Sequence, residues 1–144
     1  MTSPDLESLL RTGQLKREAP SQSEFDGLVR SGEARLLDAK RNELSRESRF
    51  DLVYNASHAL ALAALRWHGF RSDYRYVVFQ ALPHTLGLGP EVWRVLDKGH
   101  KVRNLAEYEG QVQIDEQLLG DLLTATTLVR EAVLKLGPVL AHKR

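Results

Sequence analysis

The sequence predicts an all-α fold: a single up-and-down bundle of four to five main helices, preceded by a short N-terminal helix. Three observations carry this. Leu and Ala supply 38 of the 61 apolar residues while Val and Ile supply 12, so helix formers far outweigh strand formers. Helix-capping residues followed by apolar positions at helical spacing recur along the chain. The 144 residues, 42% apolar and 27% charged, match an ordinary globular domain with a core of its own.

The elements follow in order. Ser3 before Pro4 has the form of an N-cap with proline at the first helical position, opening a short helix through Leu6, Leu9 and Leu10 that stops at Gly13. Gln14 to Pro20 is polar and reads as a connector, so residues 1–20 form a helix-and-connector segment and residues 21–142 the bundle. Ser21 and Glu24 have capping-box spacing ahead of Phe25, Leu28, Val29, Leu36 and Leu37. The next helix is expected after Ser45, ending near Trp67 and Gly69. From Ala56 to Leu65 it is apolar nearly all round, the composition of a helix enclosed by neighbours. Its alanines would let adjacent helices come close.

Residues 72–86 contain Tyr76-Val77-Val78-Phe79, which has strand character, but the context favours helix, broken near Pro83 and ended by Gly87 and Gly89. Pro90 opens a fifth segment to about Tyr108, closed by Gly110. In the last segment Asp115 is the N-cap and Ile114 and Leu119 are placed for a hydrophobic staple. Leu122, Thr126, Val129, Val133, Leu136 and Leu140 then form a seam.

Charge and composition narrow the function. A net charge of +1 excludes a generally basic nucleic-acid coat, and the lack of Cys excludes disulfides, thiolate metal sites and a cysteine nucleophile. The first fourteen residues carry Asp5 and Glu7 and no long apolar run, so they read neither as a signal peptide nor as a lipid anchor. The expectation is a cytoplasmic protein with no membrane contact, no metal and no cofactor.

His100, Arg103, Asn104, Glu107 and Tyr108 stand at i, i+3, i+4, i+7 and i+8 and share one helical face. Val92, Val95, Gly99, Val102 and Ala106 form an apolar stripe roughly 120° away at 3.6 residues per turn. Arg103 and Asn104 suit a phosphate, and His100 suits proton transfer near neutral pH. The same spacing also describes an ordinary exposed face on which Glu107 pairs with Arg103. Between Arg66 and Arg103, seven Lys or Arg oppose three Asp or Glu, a local excess of +4, and Trp67, Tyr74, Tyr76 and Trp93 interleave with them. Such a mixture suits single-stranded RNA; the alternative is a solvated face with both tryptophans in the core. His58, beside Asn55, reads as a core histidine bonded to a neighbour. His84, next to Pro83, lies near a turn from which it could approach the fifth helix. Lys101 adds a cation to that helix.

The run Arg103-Asn104-Leu105-Ala106-Glu107-Tyr108-Glu109-Gly110, with Tyr54-Asn55-Ala56 and Gly69-Phe70-Arg71, resembles the HEPN superfamily (higher eukaryotes and prokaryotes nucleotide-binding) over roughly residues 21–140. The resemblance implies a bundle, commonly a homodimer, with the Arg-Asn helices meeting across the interface. It also implies metal-independent endoribonucleases, toxins of toxin-antitoxin pairs, or partners of small nucleotidyltransferases. Arg103 and Asn104 carry over directly. The histidine expected four to six residues after the arginine does not, because positions 108–110 hold Tyr108, Glu109 and Gly110. A phenol is a poor base at neutral pH; His100, one turn earlier, is our substitute on the same face. The candidate catalytic set is therefore His100, Arg103 and Tyr108, with Asn104, Glu107, Lys101 and His84 for binding RNA or nucleotide. The alternative is a non-catalytic dimeric module that binds a protein partner such as an antitoxin or a nucleotidyltransferase.

Overall fold

Caps and apolar spacing set the order of elements in the computed structural model, which describes residues 5–110 and 114–139. They are α1 (Leu6–Arg11), β1 (Lys16–Arg17), α2 (Gln22–Ala39), α3 (Arg46–Trp67), β2 (Phe70–Arg71), α4 (Arg75–Gln80), α5 (Leu82–Thr85), α6 (Pro90–Glu109) and α7 (Glu116–Leu134). The all-α expectation holds, the only strands among the described residues being one two-residue pair. Ser21, Ser45 and Asp115 cap α2, α3 and α7 as expected, each side chain accepting a backbone N–H three residues on. The expected first cap, Ser3 with Pro4, lies outside the described residues. Asp5 caps α1 instead, accepting from the Ser8 N–H at 2.8 Å.

α3 is the central helix, packing on α2, α4, α5, α6, α7 and β2. Its second half is buried, as a helix apolar on all sides must be. The close approach of α2 is made by Gly32: a Cβ there would stand 2.6 Å from Leu60 Cγ and 3.3 Å from the Ala56 carbonyl oxygen. α6 meets α7 in the same way at Gly99, where a Cβ would lie 2.8 Å from a Leu122 methyl. On α7 the seam residues Leu122, Thr126, Val129 and Val133 are all buried and Leu136 partly so, but the helix ends at Leu134, and Leu140 lies outside the described residues.

The segment before α2 differs from expectation. The connector after α1 contains β1, which pairs antiparallel with β2, Lys16 opposite Arg71 and Arg17 opposite Phe70. Leu9 and Leu15 join the main core, so residues 5–20 are built into the bundle they precede. The 72–86 segment is helical and broken near Pro83 as expected, divided at Ala81, where α4 ends and α5 begins with Pro83 in its first turn. No helix among the described residues is long and apolar enough to cross a membrane.

Candidate functional site

The buried middle of α3 carries a polar interruption. Tyr54, Asn55 and His58 sit in an otherwise apolar run, and α4 and α6 pack over them. Tyr54 is wholly buried, and its hydroxyl lies 2.9 Å from His100 Nδ1. The other ring nitrogen of His100 lies 3.3 Å from the Asn104 amide. With the amide donating to Nε2, the ring proton sits on Nδ1 and is donated to the Tyr54 oxygen; the opposite tautomer reverses Tyr54's role and turns the amide. Either arrangement satisfies a neutral imidazole.

Two guanidinium groups complete the cluster. Arg103 from α6 lies 5.2 Å from the centre of the Tyr54 ring and Arg75 from α4 lies 5.5 Å from it, both within cation–π range. Arg75 also donates to Asn55 Oδ1 at 3.3 Å, while the Asn55 amide donates to the Asp51 carbonyl one turn back. Phe79 of α4 packs its ring edge-on to Tyr54, His58 and His100.

Both histidines are held neutral here. Burial, reinforced by Arg75, His100 and Arg103, pushes His58 down to about 4. Burial also lowers His100; Asp97 opposes the shift, while Arg103, Arg75 and Lys101 add to it. A neutral imidazole can accept a proton or a phosphate hydroxyl, and two nearby guanidiniums can hold an anion. Beside the cluster opens a pocket of about 330 Å³ lined by Glu47, Phe50, Asp51, Asn55, Arg103, Ala106 and Ile114. Its wall is mixed: Asp51 and Glu47 are exposed carboxylates on α3, and Arg103 faces them from α6. A wider groove of about 600 Å³ between α2 and the end of α7 contains none of the candidate residues.

The structure brings together His100, Arg103 and Asn104, but it places them differently from the expected polar face. The buried side of α6 is formed by Val92, Trp93, Leu96 and Gly99, and half-buried His100 and Arg103 continue that side inward toward α3. Of the expected stripe, Val92 and Gly99 are buried and Val95, Val102 and Ala106 half-buried, because Trp93 and Leu96 turn the helix toward their own side. Lys101 is exposed and pairs with Asp97 at 3.2 Å. His84, on α5, is exposed; the Asp5 carboxyl is held low first by its hydrogen bonds with Ser8, with His84 among the weaker contributors. The backbone of α6 continues through Glu107 and Tyr108, whose side chains lie outside the described residues.

The basic window also resolves into separate parts. Arg66 is 1% exposed. Its guanidinium donates to Glu24 at 2.9 Å and to the carbonyls of Glu18, Phe70 and Ala19, tying β1 and β2 to α2 and α3. Arg71 pairs with Glu18 and Glu24. Burial works to raise the Glu24 carboxyl, but hydrogen bonds from Arg71 and Arg66 outweigh it and hold the carboxyl below its ordinary value. Two of the seven cations are thus structural. Trp93 is buried and Trp67 half-buried, its indole donating to the Gly137 carbonyl at 3.1 Å. The exposed aromatic rings of the window are Tyr74 and Tyr76.

Sequence reasoning missed Tyr54, Arg75, Asp51 and Glu47 as parts of this site, and read His58 as a core histidine bonded to a neighbour rather than as a member of it. The available signal was the polar break Tyr54-Asn55…His58 inside an apolar helix, since buried polar groups need partners from neighbouring elements. Among the described residues no cluster of three or more His, Asp or Glu could hold a metal ion. No family model, curated protein or solved structure matches the chain.

Proposed function

We propose that this protein is a HEPN-like bundle that binds RNA or a nucleotide through phosphate at the His100–Arg103–Asn104 site. The observation that supports the reading is the convergence of Arg75, Arg103 and neutral His100 on one buried ring, Tyr54, at the edge of an open pocket. Two guanidiniums fixed by a ring and by Asn55 lose little freedom on meeting a phosphate, and a neutral imidazole beside them adds no further repulsion between cations.

The test is fluorescence anisotropy with a labelled single-stranded RNA. Binding should weaken with salt, and Arg103→Ala and Arg75→Ala should each weaken it at least about tenfold, the loss of one charge-assisted contact. Unchanged affinity in both variants, with folding confirmed by circular dichroism, would remove the site from the function. Digestion of total RNA in EDTA addresses cleavage. Removal of a 2′-hydroxyl proton by His100, followed by in-line attack, leaves a 2′,3′-cyclic phosphate and a 5′-hydroxyl. His100→Gln should abolish any such product while leaving RNA bound.

Leu105, half exposed on the outward side of α6, favours a second reading, in which that helix meets a second copy of the chain or a nucleotidyltransferase-like partner. Leu105→Glu should then shift the oligomeric state in light scattering without altering RNA affinity.

A further inference from the structure

The pocket beside the Tyr54 cluster is bipolar, and this asymmetry bears on what it accepts. One end carries Arg103, with Arg75 behind it through Asn55; along the other, α3 presents Asp51 and then Glu47 one turn further out. From Asn55 back to Asp51 is four residues, about 6 Å of helix at 1.5 Å per residue, and Glu47 lies about 6 Å further out, so with the length of the Arg103 side chain the two ends stand on the order of one nucleoside monophosphate apart. Asp51 and Glu47 are exposed, so a ligand can reach them, and Phe50 and Ile114 supply an apolar floor between the two ends.

A phosphate fits only the arginine end, since the carboxylates repel it. What fits the other end must donate hydrogen bonds. Among the nucleobases guanine offers two parallel donors on one edge, N1–H and the 2-amino group, which match the two oxygens of a carboxylate. Adenine and cytosine offer one exocyclic amine beside an acceptor that a carboxylate repels, and uracil offers a single N–H between two carbonyls.

We propose that the pocket selects guanine: phosphate on Arg103, with Arg75 behind Asn55 adding positive potential, the guanine N1–H and 2-amino group on the Asp51 carboxylate, and Glu47 adding negative potential at the rim. This deepens, and rests on, the phosphate-binding reading given above. The pocket volume of about 330 Å³ lies at the lower end of the range for small-molecule sites and suits one nucleotide.

The probes are GMP, AMP, CMP, UMP and IMP in calorimetric titration, together with uridine hexamers carrying one internal G or A in anisotropy. GMP should bind at least about tenfold more tightly than AMP, CMP or UMP. IMP, lacking the 2-amino group, should fall between. Asp51→Asn should erase the preference for guanine while leaving the common affinity of the other nucleotides unchanged or raised, because a repulsive charge is gone. Arg103→Lys should weaken every nucleotide alike. Equal affinity across the bases, in either probe set, overturns guanine selection; if Arg103→Lys still weakens all of them, the phosphate-binding reading survives. If the Arg103 and Arg75 variants change nothing with either probe, both readings fall. An unaltered guanine preference in Asp51→Asn also overturns the assignment, since the selecting group then lies elsewhere.

Discussion

His58 gives the sharpest thermodynamic test of the cluster. Its imidazole lies among Arg75 from α4 and His100 and Arg103 from α6, against the edge of Phe79, and its pKa falls from 6.5 to about 4. In the unfolded chain it titrates near 6.5, so as the pH falls the unfolded state takes up the proton first. Stability is therefore full above about pH 6.5, falls as pH drops toward about 4, and changes no further from this group below that. A gap of this size, at about 1.4 kcal/mol per pH unit, amounts to about 3 kcal/mol. That is a large share of the 5–15 kcal/mol typical of a domain. The assay is urea denaturation of the wild type and His58→Gln from about pH 7 to about pH 4. Carboxylates of the unfolded chain also take up protons as the pH approaches about 4, but they do so in both proteins. The difference between the two curves should open by about 3 kcal/mol in favour of the variant as pH falls. Parallel curves would refute the reasoning, since they would mean that His58 is solvated or already charged in the native state. His100, depressed for the same first cause, adds a loss of the same sign that persists in His58→Gln.

Other consequences follow from single contacts. Arg66→Ala leaves Glu24 and the Glu18, Ala19 and Phe70 carbonyls without their shared donor, and should cost about 3–5 kcal/mol in chemical denaturation, with faster amide exchange in β1 and β2. Arg66→Lys should recover only part of this, because an ammonium cannot reach four acceptors in the guanidinium's fork. Gly32→Ala forces its Cβ onto Leu60 and should destabilise by about 1–3 kcal/mol, and Leu60→Ala in the same chain should relieve part of the strain; additive losses would show that the two helices do not meet there. Ser21→Ala should cost about 1 kcal/mol as a lost cap, read from the thermal midpoint.

How much of this was legible depends on where the signal is stored. Helix starts were legible because capping is local: Ser21, Ser45 and Asp115 need only a backbone N–H three residues on. The central place of α3 was legible because a helix apolar on every side has only one environment to occupy. The β1–β2 pair was not, since two strands of two residues each have no periodicity, and what holds them is Arg66, a charge read from sequence as a surface cation. Glu24 shows the same limit. Its spacing from Ser21 marks the start of α2 correctly, yet its carboxylate is committed to Arg66 and Arg71, residues 42 and 47 positions away.

The candidate site was half legible for a related reason. His100, Arg103 and Asn104 lie within one turn and a half of α6, so periodicity alone places them together. Tyr54 and Arg75 join them across 46 residues and from a third helix, through contacts that only packing decides. Those contacts also argue against reading the group as an ordinary solvated face. A surface arginine gains little from being fixed, whereas here Arg75 and Arg103 both stack on one buried phenol and add to burial in lowering the pKa values of two nearby histidines. An anion arriving at Arg103 would offset the field of the two guanidiniums at both imidazoles. It follows that phosphate binding should raise the pKa values of both histidines. Complex formation below about pH 6 should then take up protons, measurable as a buffer-dependent heat in calorimetry. A binding heat independent of the buffer's ionisation enthalpy would place the anion away from this cluster.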